Sequence, residues 1–225
     1  MKTKSMAFSL LAGFTLALLV GCDTDGSRTS TPSEDEETIE VETGKTRYYS
    51  LDPFAEVTGA DIASAKWDVA FKPGRIIQTN SGSTASALGS SGDGGVWHTE
   101  KFDIVETALG DRVTTGGWNT DVVKYVAGQM GAASQQTVNV INHFAWSSGD
   151  GNSADTKLTS AQYDSGGAKG FITATPGKMP PDYTVTKRVY IIKGGSGGSN
   201  YHRIQITGYS SVSGTDTYIL NYLKL

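Results

Sequence analysis

The sequence predicts an all-β, mostly antiparallel fold, and three observations support this prediction. Glycine supplies 28 of the 225 residues and proline only 6, which indicates many turns and few helices. Short β-rich segments alternate with clusters of Ser, Thr, Asn and Gly, as in antiparallel sheets. No period of about 20 to 50 residues repeats, so solenoids and propellers lack support. A hydrophobic fraction of 37% is sufficient for a folded core.

The predicted strands are the β-rich segments between the turn clusters. The clearest pair is Lys187–Ile192 with His202–Ile206, which Gly194–Asn200 joins as a hairpin with a flexible loop. One short helix is predicted over Asp121–Gly128, with Thr120 or Asp121 as its cap and Gly128 as its stop. The full set of predicted strands is Thr38–Val41, Arg47–Leu51, Lys66–Phe71, Arg75–Thr79, Gly95–Thr99, Thr137–Phe144, Gly170–Thr175, Thr184–Lys193, Tyr201–Gly208 and Thr217–Leu225.

The first 21 residues are predicted to be a lipoprotein signal peptide. Lys2 and Lys4 precede the apolar run Met6–Val20, which is short for a membrane span but typical of a secretory signal. The run ends in Leu-Val-Gly before Cys22, which resembles the lipobox of bacterial lipoproteins. We therefore expect a lipid anchor on Cys22, the only cysteine; a free thiol or an intermolecular disulfide is the alternative. Thiolate chemistry is then excluded from the folded body.

Residues 22–42 are predicted to form the lipidated cysteine and an acidic, flexible tether. Asp23–Glu42 contains eight acidic residues, one arginine and almost no large apolar side chain. The remaining residues, 43–225, are close to neutral and form the predicted binding domain. Since this body has no basic run, there is no electrostatic reason to expect binding to nucleic acid.

No arrangement of residues predicts an enzyme. Gly194–Gly198 matches the letters of a nucleophile elbow, but it joins two strands and no helix follows, so Ser196 is not expected to be a nucleophile. The three histidines, His98, His143 and His202, are too scattered to predict a metal site by spacing.

Met130 and Met179 are the two methionines that follow the signal peptide. Each lies in a predicted loop, where no core strand accounts for the apolar side chain. On the residues alone, the simpler interpretation is that both side chains pack down as loop anchors.

Several motifs, taken together in order and spacing, resemble the HmuY family of haem-binding lipoproteins. They are Trp67–Phe71, Ile76–Gly82, Gly92–Val96, Pro181–Tyr183, Lys187–Ile192 and Arg203–Tyr209. The resemblance runs from about Thr38 to Leu225. It implies an all-β fold with a haem pocket between loops. It also implies a protein that is anchored to the outer membrane and captures haem for a TonB-dependent receptor. Within these motifs, we interpret Trp67, Asp68, Asn80 and Gly95 as fold signatures.

The resemblance also implies a ligand set. The best-known family member binds iron with two loop histidines, whereas the corresponding loops here contain Met130 and Met179. These methionines are therefore the expected axial ligands of haem iron, with His143 as the alternative. The other expected haem contacts are Lys178 and Lys124 for the propionates, and Tyr125, Val126 and Trp146 for the apolar faces.

The thioether side chain of methionine leads to an expectation about the pH dependence of haem binding. A thioether binds iron without losing a proton, so binding should depend little on pH near neutrality.

The rival interpretation is a β-rich lipoprotein that binds carbohydrate or a protein partner, with Trp97, Trp118 and Trp146 as a stacking platform.

Overall fold

The structure, a computed structural model, describes residues 35–112, 118–126, 134–142, 170–174 and 183–225. Within these ranges the fold is all-β and antiparallel, as predicted, with one short α-helix. The strands are β1 (Asp35–Glu42), β2 (Arg47–Leu51), β3 (Phe54–Val57), β4 (Val69–Lys72), β5 (Ile76–Thr79), β6 (Gly95–His98), β7 (Val122–Val126), β8 (Ser134–Val138), β9 (Ile172–Ala174), β10 (Tyr183–Val185), β11 (Val189–Lys193), β12 (Tyr201–Val212) and β13 (Thr215–Lys224). The helix is α1 (Gly82–Leu88), and 3₁₀ turns lie at Gly59–Ala63, Leu109–Asp111 and Val140–Asn142. No helix in these ranges is long and apolar enough to cross a membrane.

Two larger sheets form the body. One has five strands in the order β1-β13-β12-β11-β6, and the other has four in the order β3-β2-β4-β5. The pairs β7–β8 and β9–β10 form two separate two-stranded ladders. These two ladders lie between the body strands in the sequence and carry the loops of interest.

Aromatic side chains connect the two larger sheets. Phe71 on β4 and Tyr218 on β13 are both fully buried, with ring centroids 5.2 Å apart. The Tyr218 hydroxyl donates to the carbonyl of Lys72 at 2.6 Å. Phe54 on β3 stacks on Tyr222 of β13 at 4.7 Å. The core therefore lies between the sheets, where apolar burial is the main stabilising contribution.

The predicted hairpin between Lys187–Ile192 and His202–Ile206 is confirmed as β11–β12. The segment Thr184–Lys193, however, is not one strand but two, β10 and β11. The break falls at Lys187, which has a φ of 56°, a left-handed conformation that cannot continue a strand.

The predicted helix over Asp121–Gly128 is wrong, because Val122–Val126 is strand β7 and pairs with β8. Three valines and a tyrosine in this segment favour an extended chain, and that preference outweighs the capping pattern. The predicted strand Thr137–Phe144 is also wrong in its length, since β8 ends at Val138 and a 3₁₀ turn follows at Val140–Asn142. Helix α1 was not predicted.

The acidic tether is shorter than predicted, because Asp35–Glu42 forms the edge strand β1 along β13. The side chains of Ile39 and Val41 are buried, whereas Glu36, Glu40 and Glu42 are exposed. Strand alternation therefore allows an acidic segment to bury one apolar face. Residues 22–34, including Cys22, lie outside the described residues.

Three of the four residues interpreted as fold signatures, Trp67, Asp68 and Asn80, lie in one buried network with Gly194 and Gly195, which we call the signature network. The fourth, Gly95, lies on β6 and is not part of it; a Cβ there would be 3.0 Å from the Cβ of Trp118. Asp68 accepts hydrogen bonds from the amides of Leu51 at 2.7 Å and Gly195 at 2.8 Å. The Asn80 side chain donates to the carbonyl of Trp67 at 3.1 Å. A Cβ at Gly195 would lie 2.3 Å from that same carbonyl oxygen. The glycine-rich loop is thus packed against the body at this end, contrary to the expectation of a flexible loop.

Candidate functional site

The β7–β8 ladder carries the chain position of the first candidate ligand. Its register runs from the pair Val122–Val138 to the pair Val126–Ser134. Met130 lies outside the described residues, and in the sequence it falls midway between Val126 and Ser134. The ladder therefore leads from the body towards the segment that contains Met130.

The β9–β10 ladder has the same relation to the second candidate. Its register runs from the pair Ile172–Val185 to the pair Ala174–Tyr183. Met179 also lies outside the described residues, between Ala174 and Tyr183 in the sequence. Each methionine is thus flanked by the last backbone pair of its own ladder.

The two ladders start from neighbouring points of the body. The amide of Phe171, just before β9, donates to the carbonyl of Ile141, just after β8, at 2.8 Å. The amide of Thr186, just after β10, donates to the carbonyl of Phe171 at 2.8 Å. These two bonds connect the base of one ladder to the base of the other.

Strand β5 supports the end of β8 and the turn that follows it. The Gln78 side chain donates to the carbonyl of Thr137 at 3.0 Å. The backbone amide of Ile77 donates to the side-chain oxygen of Asn142 at 2.7 Å, and the side-chain amide of Asn142 donates to the backbone carbonyl of Ile77 at 2.5 Å. This reciprocal pair fixes the 3₁₀ turn from which the chain passes towards β9.

A buried polar cluster closes the base of the β7–β8 ladder; we call it the Asp121 cluster (Thr79, Ser81, Thr84, Asp121 and Asn139). Asp121 is fully buried and accepts from the hydroxyls of Thr79 at 2.8 Å and Thr84 at 2.5 Å. It also accepts from the Asn139 side chain at 2.8 Å, and its own amide donates to the Ser81 hydroxyl at 3.0 Å. Burial raises the pKa of the Asp121 carboxyl, although these hydrogen bonds oppose the shift.

The sequence does not predict this cluster, because the helix predicted over Asp121–Gly128 leaves Asp121 only as one of two candidate caps. Asp121 directly precedes β7 and Asn139 directly follows β8, so both stand at the edges of the ladder. The available signal was one short polar residue directly before Val122–Val126 and another directly after Ser134–Val138. Only the folded chain brings these two residues together.

A cation lies at the outer end of the β9–β10 ladder. The guanidinium carbon of Arg75 is 4.2 Å from the ring centroid of Tyr183, in cation–π contact. Arg75 has a φ of 66°, and the preceding amide, that of Gly74, donates to the carboxylate of Asp216 at 2.7 Å. Arg75 therefore packs against the ring of Tyr183, which belongs to the last backbone pair of the ladder.

Two of the three histidines are core residues. His98 on β6 and His202 on β12 are both buried. The Nε2 atom of His202 is 2.9 Å from the side-chain oxygen of Asn200, and burial lowers the pKa of its imidazole. His143 lies outside the described residues.

The aromatic platform of the rival interpretation is already occupied. Trp97 and Trp118 stack on each other with centroids 3.4 Å apart, and Trp118 also stacks on Tyr201 at 5.7 Å. Arg112 lies 4.6 Å from the ring centroid of Trp97. Two of the three tryptophans of this platform therefore have other side chains stacked against their rings, and Trp146 lies outside the described residues.

The remaining predicted site residues are described in part or not at all. Lys124, Tyr125 and Val126 lie on β7, where the backbone pairing is described. Lys178 and Trp146 lie outside the described residues. Among the residues that the structure does describe, no group of three or more His, Cys, Asp or Glu side chains could hold a metal ion.

Comparison with known proteins relates this chain to one family. The sequence profile described as HmuY protein matches residues 33–222, so the chain belongs to the HmuY family. A structure described as a HmuY-like heme binding protein from Bacteroides vulgatus covers 83% of this chain and 90% of its own, with 15% identity and a TM-score of 0.47. The apo HmuY analogue of Tannerella forsythia covers 86% and 98%, with 14% identity and a TM-score of 0.44. None of the curated proteins matches this chain.

Proposed function

We propose that this protein is a haem-binding lipoprotein that captures haem between two loops, with Met130 and Met179 as the axial ligands of the iron. The observation that carries the proposal is the HmuY family match over residues 33–222. The placement of the two ladders supports it, because they start side by side and each ends at the backbone pair that flanks one methionine.

The donor chemistry is consistent with this assignment. A thioether is a soft, neutral ligand that binds haem iron without releasing a proton and favours the ferrous state. Haem affinity should therefore change little between about pH 6 and pH 8, whereas an imidazole ligand would weaken near its pKa of about 6.5. The burial of His98 and His202 leaves His143 as the alternative nitrogen ligand.

Most of the binding free energy would come from removing the apolar porphyrin faces from water. Tyr125, Val126 and Trp146 are the proposed apolar contacts, and Lys124 and Lys178 the proposed partners of the propionates. The protein performs no reaction in this proposal; it binds haem and releases it.

We further propose that Cys22 carries a lipid anchor in the outer membrane and that haem passes to a TonB-dependent receptor. The apolar run before Cys22 and the acidic segment after it support this arrangement. Replacement of Cys22 by serine should move the protein from the membrane fraction to the soluble fraction of cells. Retention of that variant in the membrane would contradict the anchor.

A haem titration of residues 33–225, read by visible absorption in the oxidised and reduced forms, tests the ligand assignment. Wild type should show a saturable Soret shift. Met130→Leu and Met179→Leu keep the apolar volume but remove the sulfur, so each should weaken binding by about tenfold or more and change the spectrum. His143→Ala is the matched control and should behave as wild type.

Each other outcome has a defined meaning. Loss of binding in His143→Ala with no effect of one methionine variant would replace that methionine by His143 in the ligand pair. No saturable shift in either redox state would reject the haem proposal as a whole.

A further inference from the structure

We propose that Asp121 is a positioning residue for haem binding, because it fixes the base of the ladder that leads to Met130. This inference rests on the proposed function. It is carried by the described contacts of the Asp121 cluster, and the segment around Met130 supplies none of them.

The first argument is the position of Asp121 in the ladder. It directly precedes β7, and Asn139 directly follows β8, next to the first backbone pair Val122–Val138. The Asn139 side chain donates to Oδ1 of Asp121 at 2.8 Å and to the carbonyl of Ile77 at 3.2 Å. The carboxylate therefore links the two strands at the point where they leave the body.

The second argument is the set of bonds from Asp121 to the body. The Thr79 amide and hydroxyl reach it from the end of β5, and the Thr84 hydroxyl reaches it from α1. The backbone carbonyl of Asp121 accepts from the amide of Ser83 at 2.8 Å. Gly82 lies so close that a Cβ there would be 2.2 Å from this carbonyl oxygen. Side-chain and main-chain bonds thus hold Asp121 from two body elements.

The third argument is mechanical. The β7–β8 ladder belongs to neither of the larger sheets, and an isolated two-stranded ladder is marginally stable alone. With about 3.4 Å per residue, the five pairs extend roughly 14 Å from the base. A tilt of about 10° at the base would then move the far end by roughly 2 Å. Since a ligand must be held to within about 0.5 Å, loosening the base should disturb the iron ligand.

The test compares two buried carboxylates. Asp121→Asn keeps the shape but weakens the acceptor. Asp68→Asn is the matched control, because the Asp68 carboxylate is also buried and accepts from the amides of Leu51 and Gly195 in the body. Thr84→Val removes one donor to Asp121, whereas Thr84→Ser keeps the hydroxyl and serves as its control.

Two readouts separate positioning from general stability. The first is amide hydrogen exchange of β7 and β8 in the haem-free protein, and the second is the haem affinity with its visible spectrum. In Asp121→Asn we expect exchange in the ladder to rise by about tenfold or more, and haem to bind about tenfold more weakly with an altered axial-ligand spectrum. Thr84→Val should show the same changes to a smaller extent, and Thr84→Ser should resemble wild type.

The control should lower the unfolding midpoint without these changes. If Asp68→Asn alters the ladder exchange and the haem spectrum as much as Asp121→Asn does, the positioning role is wrong. It is also wrong if Asp121→Asn, or Thr84→Val should the former fail to fold, leaves both readouts as in wild type. If wild type binds no haem, the proposed function fails, and the exchange comparison alone still decides whether Asp121 fixes the ladder.

Discussion

The signature network and the Asp121 cluster each place a carboxylate in the interior, but they bond it differently. Asp68 accepts from two main-chain amides, those of Leu51 and Gly195. Asp121 accepts mainly from side chains, the hydroxyl of Thr84 and the amide of Asn139 among them. Main-chain donors are fixed once the chain folds, whereas side-chain donors can rotate. The comparison indicates that the first network secures the body, and the second secures a projecting ladder.

Asp121 and His202, a buried histidine that Asp68 influences, should respond to acid in opposite directions. Burial raises the pKa of Asp121, so the native state takes up a proton first and the cost of the buried charge is relieved as pH falls. Burial lowers the pKa of His202, which lies in the electrostatic field of Asp68. The unfolded state then takes up a proton first, and stability is lost as pH falls below the ordinary histidine value of 6.5.

The largest expected effect comes from filling the closest contact of the signature network. In Gly195→Ala, a Cβ would overlap the carbonyl oxygen of Trp67, which is main chain and cannot rotate away. We expect a loss of about 3 kcal/mol in the free energy of unfolding, measured with urea. Gly110→Ala is the control, because no atom lies within 4 Å of its Cβ position. Equal free energies of unfolding for Gly195→Ala and Gly110→Ala would contradict this expectation, because they would show that the main chain around Trp67 shifts to accommodate the added carbon.

A second charge in the Asp121 cluster should produce the next largest effect. In Asn139→Asp the new carboxylate replaces a donor that lies 2.8 Å from Asp121. We expect a loss of about 2 kcal/mol near pH 7, with partial recovery near pH 5, where the two carboxylates can share a proton. Urea unfolding at both pH values measures this. Asn139→Ala should lose stability without the recovery, and a pH-independent loss in Asn139→Asp would contradict the electrostatic reason.

The acid response of His202 gives a smaller effect with a definite sign. The Nδ1 atom of His202 is buried and has no hydrogen-bond partner among the described residues, so protonation would place an unmatched N–H in the core. We expect wild type to lose stability as pH falls below 6.5, and His202→Gln to lose less over the same interval. Thermal unfolding across that range measures the difference. Parallel curves for the two proteins would assign the acid response to other groups.

The smallest effect should come from an exposed ion pair. Arg47 and Glu56 are joined by a contact of 2.6 Å, and their side chains are 37% and 36% exposed. Glu56→Gln should lower the free energy of unfolding by only about 0.5 kcal/mol, and the difference should shrink in high salt. If Glu56→Gln lost as much stability as Asn139→Asp, the argument that an exposed ion pair contributes less than a buried polar cluster would be wrong.

The strands that the sequence located best are those with plain alternation. Arg47–Leu51 was predicted with the bounds of β2, and the β11–β12 hairpin was predicted from two apolar runs around a glycine-rich turn. The prediction failed for Val122–Val126, because the capping pattern at its ends was given more weight than the β-branched and aromatic residues between them. Pairing with β8, the next strand along the chain, completes the ladder.

The family resemblance depended on residues whose role is structural. Trp67, Asp68 and Asn80 are visible as motifs because their contacts demand those side chains, and the structure places them together in the signature network. The assignments of Met130 and Met179 stay predictions, since both lie outside the described residues. Arg75 and Asp121 were not found as parts of this site, because their partners are distant in sequence.

By itself, the sequence determined the fold class, the packed core strands and the family, because alternation, turn composition and ordered motifs are local properties of the chain. Only the tertiary structure decided that two ladders start side by side and that a buried carboxylate closes one of them. The physical reason is that a hydrogen bond between residues such as Thr84 and Asp121 depends on where the chain returns in space, and no local pattern encodes that distance.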